Sequence, residues 1–254
     1  MKKTLLTIAG FDPSAGAGVL LDLKVFAAFG FHGTAALTAV TVQDTARVRR
    51  VVPLPSRLVR DQVSALRSDI ELAGIKVGMA GTRENLAAVA RILGAARGIP
   101  SVVDPVFRAT SGAWLLEGRA ISDFLALLRG KASLLTPNLD EARRLTGRRV
   151  ADLAGMKLAA GEIFERGRVP CLIKGGHLKG NPLDLLYDGK TFAVFGRPRM
   201  GKDVHGTGCL LSAAILAGLA RGLSLQEACR RASAFVQRAI RGSVRIGGGR
   251  PLFA

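Results

Sequence analysis

Short apolar runs alternate along this chain with longer segments whose apolar residues recur at helical spacing. The runs Thr4–Ala9, Thr34–Thr41, Gly74–Val77, Ser101–Val103, Ser133–Leu135 and Pro170–Lys174 predict strands. Between them, Gly18–Phe29, Ser56–Leu66, Glu84–Leu93, Ser122–Leu128, Asn138–Leu145 and Leu153–Arg166 predict helices. After Lys174 the rhythm changes. Leu183–Tyr187 and Thr191–Val194 flank Asp188-Gly189, a hairpin signal. Two further helices, Cys209–Arg221 and Leu225–Arg241, follow. Such alternation predicts an α/β fold: a three-layer sandwich with a mostly parallel central sheet and helices on both faces. No linker or repeat interrupts it, so residues 1–254 read as a single domain.

In a parallel sheet, ligands gather at the carboxyl ends of the strands. Those ends carry Gly10 to Gly18, then Gln43-Asp44-Thr45, Gly78-Met79, Asp104-Pro105-Val106, Thr136 to Glu141, and Gly175-Gly176-His177. Polar or glycine-rich segments at six strand ends predict a cleft for a small molecule on one rim.

Composition narrows the reading. At 48% hydrophobic residues, 254 residues can bury one full core. A formal net charge of +18 invites a nucleic-acid hypothesis. The Lys and Arg are spread along the chain, however, as in Arg230, Arg231, Arg238 and Arg241, and no aromatic residues interleave with them to stack bases. A basic solvated surface that steers phosphorylated ligands inward is the expectation. Cys171, Cys209 and Cys229 are odd in number and far apart, which argues against a disulfide framework and for a reducing cytoplasm. Asp12 and Pro13 break the first apolar run too early for a signal peptide, and the stretch from Cys209 to Ala220 is too short to span a bilayer. No membrane association is expected.

Several motifs compete. Gly196 to Lys202 nearly spells a phosphate-binding loop, but Asp203 stands where the magnesium-holding Ser or Thr belongs, and Pro198 interrupts it. Gly16-Ala17-Gly18 lacks the third glycine of a dinucleotide fingerprint, since position 21 is Leu. His177 and His205 are too few for a zinc site. Gly206-Thr207-Gly208-Cys209 joins a glycine turn to a helix start, where backbone N–H groups and the helix dipole favour an anion and lower a thiol's pKa. The alternative there is an ordinary helix start with Cys209 as a small buried residue. Asn138-Leu139-Asp140-Glu141 is either a helix cap with stabilising acids or a place for Glu141 near a magnesium–phosphate complex. Gln43, just past a strand, is either a plain loop residue or an amide that both donates and accepts, which suits the edge of an aminopyrimidine.

Together, Thr7 to Gly18, Asp22-Leu23-Lys24, Gln43-Asp44-Thr45, Lys76 to Met79, Val103 to Val106, Thr136 to Ala142, Lys174 to His177 and His205 to Cys209 appear in the order of one family. The chain resembles the hydroxymethylpyrimidine/phosphomethylpyrimidine kinases of thiamine biosynthesis, in the ribokinase-like superfamily, over nearly its whole length. The resemblance implies ATP- and magnesium-dependent phosphorylation of 4-amino-5-hydroxymethyl-2-methylpyrimidine, then of its monophosphate. It implies a pyrimidine pocket of Gly10, Asp22, Gln43, Met79 and Val106. Asp104 and Glu141 then fall near magnesium, Lys174 near the nucleotide, and Gly206, Thr207 and Gly208 form an anion hole. Cys209 takes the place of the aspartate base common in the superfamily, and a homodimer is expected.

The chain departs from the family pattern at Phe11, Ala15, Asp44 and Phe107-Arg108-Ala109-Thr110. The last stretch often ends in a lysine, which bears on the second phosphorylation; Arg108 is the substitute at hand. Fused thiamine-phosphate synthase domains occur in the family, and none is expected within these 254 residues. Rivals are a pyridoxal kinase of the same fold and a basic regulatory protein that has lost catalysis; Cys209, Glu141 and Lys174 speak against the latter.

Overall fold

The computed structural model describes residues 2–109, 111–176, 178 and 180–253. Its elements are β1 (Thr4–Phe11), α1 (Gly18–Ala28), β2 (His32–Gln43), β3 (Val48–Pro53), α2 (Ser56–Asp69), β4 (Leu72–Val77) and α3 (Arg83–Ala95). There follow β5 (Ser101–Val103), α4 (Gly118–Leu128), β6 (Leu134–Leu135), α5 (Leu139–Thr146), α6 (Leu153–Gly167) and β7 (Cys171–Gly175). The chain closes with β8 (Leu183–Tyr187), β9 (Phe192–Gly196), α7 (Thr207–Ala220) and α8 (Leu225–Arg241).

Among the described residues the strands form one sheet in the order β3-β2-β1-β4-β5-β6-β7-β8-β9. The strands from β2 to β7 in that order are parallel, while β3 and the β8–β9 hairpin are antiparallel additions at the two edges. Helices α2 to α6 cover one face and α1, α7 and α8 the other. The expected α/β three-layer sandwich is what the structure shows.

The apolar pattern explains the layering. In β1, Leu6 and Ile8 enter one core while Leu5 enters the other, so a strand buried on both faces reads as a continuous apolar run. Each such Leu or Ile contributes roughly 1.5–3 kcal/mol on burial. Helix α7 is apolar nearly all round because it lies between the sheet and α8. The two helices touch closely: a Cβ on Gly218 would come within 3.0 Å of Ala228 Cβ.

Three local readings change. Strand β3 was not expected, because its arginines Arg49 and Arg50 break the apolar pattern; it is an edge strand half open to solvent. It is joined to β2 by a turn in which Asp44 Oδ1 accepts from the Ala46 and Arg47 amides, each at 2.9 Å. Helix α7 starts at Thr207, so Cys209 is its third residue rather than its first. The second hairpin strand starts at Phe192 rather than Thr191, which leaves a four-residue connection after Tyr187 with Asp188 Oδ1 accepting from the Lys190 and Thr191 amides.

Candidate active site

Helix α7 begins on Gly206, whose φ of +79° is left-handed and whose Cβ, if present, would lie 1.9 Å from the Gly16 carbonyl oxygen. Only glycine fits there. Gly18, at φ +60°, is held as tightly against the Gly10 oxygen. The loop after β1 and the start of α7 therefore press together at the carboxyl rim of the sheet. No side chain caps α7 and no acid stands in its first turn. By helix geometry the first amides, at Thr207, Gly208 and Cys209, lack intrahelical acceptors and form a cradle for an anion.

Facing this cradle is an ion pair. Lys174 Nζ donates to Asp104 Oδ1 at 2.6 Å, and Thr136 Oγ1 donates to the same oxygen at 2.9 Å. A Cβ on Gly208 would lie 3.1 Å from Lys174 Nζ and 3.6 Å from Asp104 Oδ2, so the pair borders the cradle directly. Burial alone would lower Lys174, but the Asp104 and Glu141 carboxylates outweigh it and leave it raised. Glu141 caps α5: its Oε2 accepts from the Asn138 amide at 2.7 Å while Asn138 Oδ1 accepts from the Glu141 amide at 2.9 Å. The capping-box reading of this segment is what the structure shows. Burial pushes Glu141 up to about 8, against the pull of Lys174.

Cys209 is half-buried. Burial pushes its thiol up to about 11, while Lys76 and the Gly18 amide pull the other way. Desolvation thus opposes the lowering that a helix start favours.

The pyrimidine-pocket candidates fall into two groups. Gly10, at the end of β1, touches Met79; a Cβ on it would lie 2.9 Å from the Met79 sulfur. Met79 is buried and its carbonyl accepts from Thr38 Oγ1 at 2.6 Å, while Val106 follows β5 on the same rim. Gln43 ends β2 and lines a cavity of about 760 Å³ with Pro13, Ser14, Asp44, Thr45 and Arg47. Asp22 lies apart from both groups. It is fully buried, and both carboxylate oxygens are spent on Lys76 Nζ, at 3.0 and 2.8 Å, with Thr7 Oγ1 also donating to one at 2.6 Å.

One contact escaped the sequence reading. Asp12 is buried, with Ser14 donating to its Oδ1, and its Oδ2 lies 3.4 Å from His205 Nε2. The signal was present, since Asp12 and His205 sit in the two glycine-rich loops that the fold presses together. Ala15, one of the family departures, adopts a left-handed φ of 56°. Arg108 is turned onto its own loop, its guanidinium donating to the Gly112 carbonyl at 2.9 and 3.1 Å and stacking on Trp114. Thr110 and His177 lie outside the described residues.

The near phosphate-binding loop lacks the strand-to-helix turn it needs. Lys202 Nζ donates to the Arg241 carbonyl at 3.2 Å, and Asp203 pairs with Arg250 at 2.9 Å. Among the described residues, no three His, Cys, Asp or Glu come together as a metal cage. No helix among them is long and apolar enough to cross a membrane.

A mostly parallel sheet whose carboxyl rim sets an open helix N-terminus against a buried lysine–aspartate pair defines a phosphotransferase of the ribokinase-like fold. The family profile of phosphomethylpyrimidine kinase matches residues 12–252. The hydroxymethylpyrimidine/phosphomethylpyrimidine kinases of Rhizobium meliloti and Aquifex aeolicus are 43% and 40% identical to it, each over 250 residues. Those alignments cover 97% and 96% of this chain and 93% and 96% of theirs. The pyridoxal kinase from Staphylococcus aureus in complex with pyridoxal superposes with a TM-score of 0.91 at 36% identity, covering 100% of this chain and 93% of that one. The same enzyme in complex with AMP-PCP gives a TM-score of 0.90. The chain belongs to the phosphomethylpyrimidine kinase family.

Proposed function

We propose that this chain transfers the γ-phosphoryl group of ATP to the hydroxymethyl group of 4-amino-5-hydroxymethyl-2-methylpyrimidine, and then phosphorylates the resulting monophosphate to the diphosphate. The observation that carries this reading is the open start of α7 beside the Lys174–Asp104 pair. Phosphoryl transfer asks for positioning and charge stabilisation more than for covalent chemistry. The amides of Thr207, Gly208 and Cys209 hold the transferring phosphate, and Lys174 neutralises charge on the nucleotide. Cys209 accepts the substrate hydroxyl's proton. Gln43 pairs with the polar edge of the ring, while Gly10, Met79 and Val106 pack against its faces.

Magnesium fits this donor set. The ion binds through one or two carboxylates plus substrate phosphates rather than an all-protein cage, and Asp104 and Glu141 are two such carboxylates beside the cradle. When bound there, magnesium neutralises charge on the phosphate oxygens.

We further propose a cytoplasmic homodimer. Val40, Val42 and Val52 are exposed on the β2–β3 ribbon and give a second copy an apolar surface to cover. Sedimentation at micromolar concentration checks the dimer. A second reading, pyridoxal phosphorylation, draws on the likeness to the pyridoxal-bound structure, since both substrates are rings bearing a hydroxymethyl group. Mass spectrometry of the product tests the first reading: the pyrimidine gains one phosphate and then a second. Recovery of unchanged pyrimidine beside phosphorylated pyridoxal would give the site to the second.

A further inference from the structure

The segment that follows α8 returns to the carboxyl rim of the sheet. Val244 and Leu252 exchange both backbone hydrogen bonds, at 3.0 and 2.8 Å, and so close a loop around residues 245–251. Three parts of the site hold this segment. Leu252 is buried against the loop after β1, where a Cβ on Gly16 would lie 2.7 Å from its Cδ2. The Pro251 carbonyl accepts from the His205 amide at 3.0 Å, one residue before the N-cap of α7. The Gly249 amide donates to Thr45 Oγ1 at 3.1 Å, in the turn that follows Gln43.

The last of these contacts leaves no room for a side chain. A Cβ on Gly249 would lie 1.8 Å from the Thr45 carbonyl oxygen, and one on Gly247 would lie 2.5 Å from Thr45 Oγ1. Glycine at both positions lets the backbone lie directly on the β2–β3 turn. Asp44 Oδ1 fixes the same turn from within, through the Ala46 and Arg47 amides. Gly247 and Gly248 then line the cavity of about 760 Å³ that Gln43, Pro13 and Ser14 also line. A cavity of that size suits a ligand larger than one aromatic ring. A single ring stays against Gln43 only if the walls around it are fixed.

We propose that residues 244–252 form a wall of the ring pocket and that Thr45 is a positioning residue. By fastening this strap to the β2–β3 turn, Thr45 sets where the Gln43 amide meets the substrate. The inference rests on the reading that places the substrate ring beside Gln43. It assigns the Thr45 contact to ring recognition, because the phosphate cradle is anchored separately, by Gly206 against Gly16.

The test compares variants at the two ends of the contact. Thr45→Val keeps the side-chain shape and removes the oxygen that holds Gly249, whereas Thr45→Ser keeps the oxygen. Thr45→Val should raise KM for hydroxymethylpyrimidine about tenfold, with kcat and KM for ATP within about twofold of wild type. Thr45→Ser should stay near wild type. Gly249→Ala, whose methyl forces the strap off Thr45, should raise the same KM at least as far. Ile246→Ser, at a side chain of the same loop that is 70% exposed, should change neither KM. Hydrogen exchange on the unmodified protein gives a second readout that no variant can spoil by misfolding. Hydroxymethylpyrimidine should slow exchange over residues 244–252, and AMP-PCP alone should not. A wild-type KM for the ring in Thr45→Val and Gly249→Ala, or an equal rise in KM for ATP, overturns the inference. So does exchange over 244–252 that neither hydroxymethylpyrimidine nor pyridoxal slows. Turnover of pyridoxal alone would instead overturn the pyrimidine reading, and the Thr45 comparison is then decided with pyridoxal as the ring.

Discussion

Gln43 ends β2 at the mouth of the cavity, with an amide that can give and take a hydrogen bond at the edge of an aminopyrimidine. Replacing it by Leu leaves a buried polar group of the substrate unpaired. Gln43→Leu should therefore lose ~1–3 kcal/mol of transition-state binding, read as a lower kcat/KM for hydroxymethylpyrimidine; an unchanged value would remove the assignment. Cys209→Ala deletes the proposed proton acceptor but leaves the backbone cradle intact. It should lower kcat by roughly 10²–10⁴ with little change in KM, and Cys209→Asp should recover part of the rate. If the thiol only packs, Cys209→Ala will cost stability and leave turnover alone. Residues such as Gln43, Asp104 and Lys174 were legible in the sequence because each stands at a strand end, where a parallel sheet presents its ligand. The burial of Asp22 was not legible, because it lies inside a helix and nothing in the linear order reveals that Lys76, 54 positions away, takes up its carboxylate. A lysine inside the apolar strand Leu72–Val77 was the available clue.

At the scale of elements, position in the fold decides between two lysine-bearing glycine segments. Lys174, on β7, borders the cradle, whereas Lys202 lies in an irregular loop and binds the Arg241 carbonyl. Lys174→Ala should reduce ATP-dependent turnover far more than Lys202→Ala, and steady-state assays in which the order reverses would relocate the phosphate site. Helix α8 carries a second prediction. Glu227, in its first turn, binds Arg230 at 2.7 and 2.8 Å and also Arg231, which together hold its carboxyl near 2 instead of 4.5. A depressed carboxyl contributes stability above its unfolded value and loses it as pH falls through the folded one. Thermal unfolding of wild type and Glu227→Gln should therefore differ most above pH 4.5 and converge towards pH 2. The effect will be small and weakened by salt, because the pairs are exposed. Most helices and strands could be read from periodicity, but β3 could not. Its stability comes from pairing with β2, a tertiary cause that overrides its charged sequence.

For the whole molecule, the parallel sheet fixes the site before any side chain is chosen. The carboxyl ends of β1, β2, β4, β5, β6 and β7 share one rim, and α7 returns to that rim after the chain has crossed to the far edge at β9. The return brings residues 206–209 against residues 16–18, a contact across most of the chain that the sequence order alone could not display. The same scaffold serves pyrimidine and pyridoxal kinases, so fold and cradle define the reaction while the ring pocket selects the substrate. The most direct measurement is a coupled ADP-release assay run in parallel with hydroxymethylpyrimidine, its monophosphate and pyridoxal. The account predicts turnover with both pyrimidines and a kcat/KM for hydroxymethylpyrimidine above that for pyridoxal. A kcat/KM for pyridoxal equal to or above that for the pyrimidine, or no ADP release with either pyrimidine, would contradict it.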